Sequence, residues 1–199
     1  MALKIFISYR RDDSAPWAGR LYERLARTFK KSQLFMDVDH IAPGQDFVRV
    51  LEDQVGRCDV LLAIIGRAWL ESRNERGERR LDDANDFVRL EIETALRRGI
   101  TVIPLLVDGA PMPRAAELPE SLHGLVRKQA RPLSHAGFGL ETQALLQALG
   151  QPSAGTSGDG ASRAQSVSRA VLWSAAAVAA IAGWGTLWMG LGGEPVMTT

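Results

Sequence analysis

Four short runs of nearly uniform apolar residues constrain this chain more than any other feature. They are Lys4-Ile5-Phe6-Ile7-Ser8, Leu34-Phe35-Met36-Asp37, the stretch from Asp59 to Ile65, and the stretch from Ile100 to Val107. None alternates polar with apolar residues, so both faces of each must be covered, which is the pattern of a parallel sheet. Between them lie segments with helical spacing. Trp17, Leu21, Leu25 and Phe29 mark a helix over Pro16 to Phe29; Phe47, Val50, Leu51 and Val55 mark the next. Phe87 to Arg98 forms a third, closed by Gly99 as a C-cap, and Leu140 to Leu149 a last one. A weaker fifth strand falls at Leu125 to Ala130, and Pro104 ranks the fourth run toward a sheet edge. Alternating strands and helices predict an α/β chain with a flavodoxin-like, doubly wound, five-stranded parallel sheet. Ligands in such sheets bind outside the carboxyl ends of the strands. Here those ends are Ser8 to Asp13, Asp37 to Gly44, Ile65 to Trp69 and Val107 to Gly109.

The pattern occupies residues 1–150. From Ala170 to Gly193 no side chain is charged, long enough for a membrane span over 170–192, with Trp173 and Trp188 near its ends. The competing reading is a buried core helix. Arg163 and Arg169 precede the stretch and only Glu194 follows it, so the expected orientation keeps the N-terminal domain in the cytoplasm. The start of the chain lacks the long apolar run of a signal peptide. Residues 151–169, rich in Gly, Ser and Ala, read as a flexible linker, and 193–199 as a short tail. Small residues at Ala175, Ala179 and Gly183, and at Ala182, Thr186 and Gly190, suit close helix association in lipid. They equally suit a merely Ala-rich helix.

Composition narrows the function. Lys+Arg 24 against Asp+Glu 23 leaves a net charge of +1, unlike an electrostatic nucleic-acid binder. One cysteine, Cys58, excludes a disulfide scaffold. His40, His123 and His135 are scattered, so no metal site is expected. No GxGxxG follows the first strand and no GxxxxGK[ST] occurs, which argues against dinucleotide-fold dehydrogenases and P-loop enzymes.

Several segments, in order, resemble the TIR (Toll/interleukin receptor) domain family, its bacterial branch in particular. Phe6-Ile7-Ser8-Tyr9-Arg10-Arg11-Asp12-Asp13 is similar to its opening motif. Phe35 to Asp39 with Ile41-Ala42-Pro43-Gly44 resembles its second strand and BB loop, and Cys58 to Ile65 its third strand. Asp86-Phe87-Val88-Arg89-Leu90-Glu91-Ile92 is similar to the helix carrying its Trp-x-x-x-Glu element, and Ile103 to Val107 to its fourth strand.

The resemblance implies one of two functions. Some members cleave NAD to nicotinamide and ADP-ribose or a cyclic product, with NAD as substrate and no separate cofactor. Others are non-catalytic adaptors that signal by homotypic assembly. For the first, the resemblance makes Glu91 the catalytic carboxylate, stabilising an oxocarbenium-like sugar as nicotinamide departs. Arg10 and Arg11 would lie beside the nucleotide, where guanidinium forks suit a pyrophosphate; a solvated pair or an ion pair with Asp12, Asp13 or Asp37 is the plainer alternative. Asp37 would order the loop or hold a ribose hydroxyl, as would Asp39. Trp69 would pack on a base or in the core. Ile41, Pro43 and Gly44 would form the BB loop that mediates assembly. Glu93, two residues from Glu91, reads as a solvated surface charge. Phe87 stands where the family has tryptophan, keeping an aromatic without its N–H. Ala42 and Pro43 stand where some active members carry an acid. Self-association through the domain, and through the span, follows from either function.

Overall fold

The apolar runs assemble side by side. In the computed structural model, which describes residues 2–36 and 46–150, five strands form one sheet: β1 (Ile5–Ser8), β2 (Leu34–Met36), β3 (Val60–Ile65), β4 (Thr101–Val107) and β5 (Arg131–Leu133). Their order is β2-β1-β3-β4-β5 and every pairing is parallel, the flavodoxin-like arrangement expected. The helices are α1 (Arg11–Leu25), α2 (Phe47–Gly56), α3 (Phe87–Arg97), the single turn α4 (His123–Val126) and α5 (Phe138–Gly150).

The centre of the sheet explains the uniform runs. All six residues of β3 are buried. Leu62 and Ile64 join Ile5, Ile7, Leu105 and the inner faces of α1 and α5 in one core. Leu61, Ala63 and Ile65 join Phe6, Val102 and the inner faces of α2 and α3 in the other. Neither face of this strand meets water, so a polar residue at any of these positions would be buried unpaired.

The sequence expectations fail at three places, each for a local reason. α1 begins at Arg11, not at Pro16, and Ser14 (φ −136°, ψ 17°) breaks its geometry just before the proline. A proline ring crowds the carbonyl four residues back and supplies no N–H, so the first turn cannot run smoothly into the rest. The fifth strand lies at Arg131–Leu133, beyond the predicted 125–130. Leu125 sits instead in α4, fully buried in the second core. On the edge strand itself only Leu133 is buried, leaving no apolar run to recognise. Third, Pro104 is in an interior strand. β5 meets β4 only from Leu105 onward, so at Pro104 the strand has a neighbour on one side alone and behaves locally as an edge.

α3 ends as its sequence predicts. Gly99 adopts φ +69°, Ile100 N–H donates to the Ala95 carbonyl at 2.9 Å and Gly99 N–H to that of Leu96 at 3.2 Å. This pair of bonds is the Schellman closure that a glycine at this position permits. Among the described residues no helix is long and apolar enough to cross a membrane. The linker 151–169, the span 170–192 and the tail 193–199 lie outside the described residues, as do Asp37, Asp39, Ile41, Pro43 and Gly44.

Candidate active site

The first turn of α3 is fixed by one carboxylate. Asp86 is the N-cap, and its side chain accepts the Arg89 backbone N–H at 2.9 Å. Such a cap satisfies a helix N–H that has no partner in the helix itself. The same carboxylate receives both arms of the Arg10 guanidinium, each at 3.0 Å, and Arg80 Nε at 3.1 Å. Two oxygens thus take four donors. The Arg10 and Asp86 side chains are 0% and 2% exposed, so the pair is removed from water. Its third donor, Arg10 Nε, reaches the Trp69 carbonyl at 3.2 Å, and the guanidinium lies 5.7 Å from the Trp69 ring centroid. The end of β1, the loop after β3 and the start of α3 are therefore tied at one point.

This anchoring sets where Glu91 falls. Glu91 is on the second turn of α3, buried at 7% exposure, and its Oε2 accepts the Ser8 hydroxyl at 2.6 Å. Ser8 is the last residue of β1. The carboxylate thus sits at the carboxyl end of the strand where the chain order reverses, with β2 on one side and β3 on the other. Crevices at that switch point are where open α/β sheets hold ligands.

The loops around it are braced by further acids of the first segment. Asp13 accepts the backbone N–H groups of Gly66 and Ala68 at 2.9 and 2.8 Å. A Cβ on residue 66 would come 2.6 Å from the Asp13 Cγ, so this close approach requires glycine. Asp12 accepts the Ser72 hydroxyl at 2.6 Å, and that bond, aided by Arg80, holds its carboxyl below the usual range. On the other side of β1, Trp17 Nε1 donates to Asp108 at 2.9 Å.

The predicted residues divide sharply. Glu91, Arg10 and Trp69 are brought together, but Arg10 and Trp69 are each 1% exposed and face inward. In this arrangement the Arg10 fork grips Asp86, and the Trp69 indole packs against Arg10 in the core, its Nε1 without a hydrogen-bond partner. Phe87 is 44% exposed, its ring 5.1 Å from that of Phe47. Arg11 is exposed at the start of α1. Glu93 is no solvated charge: its side chain is 16% exposed, ion-paired with Arg89 at 2.6 Å and hydrogen-bonded by Ser121. Cys58 is buried, and burial pushes its thiol up to about 12, so it is no nucleophile at neutral pH.

Two residues escaped sequence reasoning. Ser8 was a polar residue closing an apolar strand, which is itself the signal of a strand-end site. Asp86 was the residue before a helical apolar pattern, the ordinary mark of an N-cap. A cleft of about 370 Å³ has Arg80, Asp86 and Phe87 in its wall, and another of about 970 Å³ is lined from Asn74 to Asn85. Glu91 lines neither. Among the described residues no cluster of His, Cys, Asp and Glu is able to hold a metal ion.

Fold and site together define a doubly wound α/β domain with a buried acid at its switch point. The sequence model described as TIR domain matches residues 5–137, and the chain belongs to that family. Among solved structures, the TIR domains of the activated Roq1 resistosome directly recognising the pathogen effector XopQ are similar at 15% identity and TM-score 0.54. That match covers 74% of this chain and 99% of the other, and shows the shared fold. A metazoan TIR-STING receptor from C. gigas matches at 18% identity and TM-score 0.46, covering 74% of this chain and 40% of the receptor's.

Proposed function

We propose that this TIR domain is an NAD+ glycohydrolase of the bacterial kind, held at the inner face of a membrane by residues 170–192 and acting in signalling or defence. The observation that supports it most is the buried Glu91 carboxylate, oriented by Ser8 at the carboxyl edge of the sheet. In the reaction the bond between ribose C1′ and the pyridinium nitrogen breaks, its electron pair neutralises the nitrogen, and nicotinamide leaves uncharged. The positive charge passes to an oxocarbenium at C1′. Water adds there and releases a proton, giving ADP-ribose; attack by a base nitrogen of the same nucleotide would give a cyclic product. No acid is needed for the leaving group, so one carboxylate suffices where glycosidases use two.

Each residue then has a defined task. Glu91 stabilises the sugar cation and holds ribose hydroxyls; a carboxylate removed from bulk water does this more strongly than one in solvent. Ser8 fixes its rotamer. Arg10 and Asp86 are positioning residues that hold the helix carrying it. Phe87, exposed beside the start of α3, offers a ring face to a base, and Arg11 a guanidinium to the pyrophosphate. Asp37 would order its loop or hold a ribose hydroxyl, and Ile41, Pro43 and Gly44 would join neighbouring subunits, since assembly through this loop is part of the proposal.

Nicotinamide release by the full-length protein, free and clustered, tests it. Glu91→Gln is expected to lower turnover at least a hundred-fold without lowering thermal stability by more than a few degrees; equal turnover in wild type and variant removes the glutamate from the mechanism. The second reading, a non-catalytic module working by homotypic contacts, has one observation in its favour, the aromatic pair Phe47 and Phe87 left partly in solvent. It requires that Glu91→Ala be silent while Pro43→Ala or Gly44 substitutions abolish assembly.

A further inference from the structure

The edge of the sheet opposite Glu91 carries the chain's lysines. The sequence has four lysines, and all of them lie within four residues of the strand that follows. Lys4 precedes β1, and Lys30 and Lys31 precede β2. Lys128 lies between α4 and β5 beside Arg127; Arg97 ends α3 and Arg98 follows it before β4, and Arg57 separates α2 from β3. In a parallel sheet all these connections meet at the amino edge, because every helix runs back from one strand's carboxyl end to the next strand's start. All but the half-buried Lys4 are exposed. Of these cations, Arg97 alone has an ion-pair partner among the described residues, Glu52. Other acids near these cations are Asp53, Glu23 in the last turn of α1, Glu93, which shares a cleft wall with Arg97, Arg127 and Lys128, and Asp59, turned to the Lys4 backbone N–H at 2.8 Å. Basic last turns complement helix dipoles, but that accounts for Arg97 and Arg98 and not for the loop lysines.

The chain's exit lies on the same edge. α5 starts beside the carboxyl edge, where Phe138 packs 6.2 Å from Trp17, and its thirteen residues run back for roughly 20 Å to Gly150. From this charge placement and exit point we propose that the amino edge of the sheet docks on an anionic lipid surface, turning the Glu91 edge toward the aqueous interior. The proposal rests on the membrane-anchor reading above and adds a face and an orientation to it. Each cation near an anionic leaflet raises partitioning by roughly five-fold, an effect that salt screens.

Because the lysines mark this edge alone, their acetylation reports it. Full-length protein is reconstituted with phosphatidylserine-rich or pure phosphatidylcholine vesicles, floated, and labelled. Lys30, Lys31 and Lys128 are expected to react at least five-fold more slowly on the anionic vesicles, with the difference lost in high salt. The exposed double variant Lys30→Glu/Lys128→Glu should restore fast labelling of Lys31. Equal rates on both vesicles overturn the docking while flotation with phosphatidylcholine keeps the anchor. Slow rates on both also overturn it, since a protein surface would then cover the lysines. Protection with phosphatidylserine but no flotation with phosphatidylcholine keeps the docking and overturns the anchor. Flotation with neither overturns both.

Discussion

The two edges of one sheet handle charge in opposite ways. At the carboxyl edge Arg10, Asp86 and Glu91 are buried, and the Arg10–Asp86 contact saturates its carboxylate with four donors. At the amino edge Lys30, Lys31, Arg57 and Lys128 stand in water without ion pairs among the described residues. A buried charge is stable only with its partners in place, so each becomes a fixed part of the architecture. An exposed charge contributes little to folding and stays available to another surface. The lesson is that substitutions at the first edge should act through stability and geometry, and those at the second through association.

The largest expected effect breaks the first edge. Arg10→Leu takes two of four donors from the buried Asp86 carboxylate and leaves it to Arg80 and the Arg89 N–H, a loss of about 3 kcal/mol, the low end for a broken buried pair. That is a large share of the roughly 5–15 kcal/mol typical of a whole domain. Thermal unfolding should show it, and Arg10→Leu/Asp86→Leu should lose less than the sum of its single variants, since removing both partners leaves no unpaired charge between them. Lys30→Glu on the other edge should change stability by under about 0.5 kcal/mol. A similar small change for Arg10→Leu would mean that the pair is not what holds α3.

A middle-sized effect sharpens the same contrast at the backbone. Gly66→Ala drives a methyl into the Asp13 carboxylate, which two backbone N–H groups hold in place. Displacing it leaves those groups unpaired, and about 2 kcal/mol of stability should go. Asp13→Ala removes the obstacle together with the bonds, so adding Gly66→Ala to that variant should cost clearly less than it does alone. Full additivity in this cycle would place the strain elsewhere.

Much of this architecture was legible and its pairings were not. β3 announces itself because both of its faces are covered and every residue is therefore apolar. Edge strand β5, with Arg131 and Pro132 on exposed or half-buried positions, has no such run, and the apolar Leu125 that stood in for it packs as a helical turn. Glu91 was found only through the order of family segments around it, because a lone helix glutamate has no distinguishing pattern. The position of Arg10 after β1 was plain, but its partner is 76 residues away in sequence. Spacing along a chain does not reveal which acid a basic residue will meet when strands from distant segments come together. Hence the Arg10 guanidinium, expected either beside a pyrophosphate or in an ion pair with a nearby acid, grips the distant Asp86 and braces a helix in this arrangement.

The smallest expected effect probes the boundary between the two regimes. Asp12 lies at the carboxyl edge, yet its side chain is half exposed, and its depressed carboxyl owes most to the Ser72 hydroxyl. A carboxyl that titrates lower in the folded state than the unfolded value of 3.8 stabilises the fold above that value. The contribution fades as pH falls through the folded-state range. Ser72→Ala should therefore lower stability near neutral pH by no more than about 1 kcal/mol, because solvent screens the site. The gap between wild type and variant should then close once the pH drops below 3.8 toward the lower folded value. A gap unchanged by acid would assign the Ser72 effect to packing, since Ser72 is itself buried, and would place Asp12 with the exposed charges of the opposite edge.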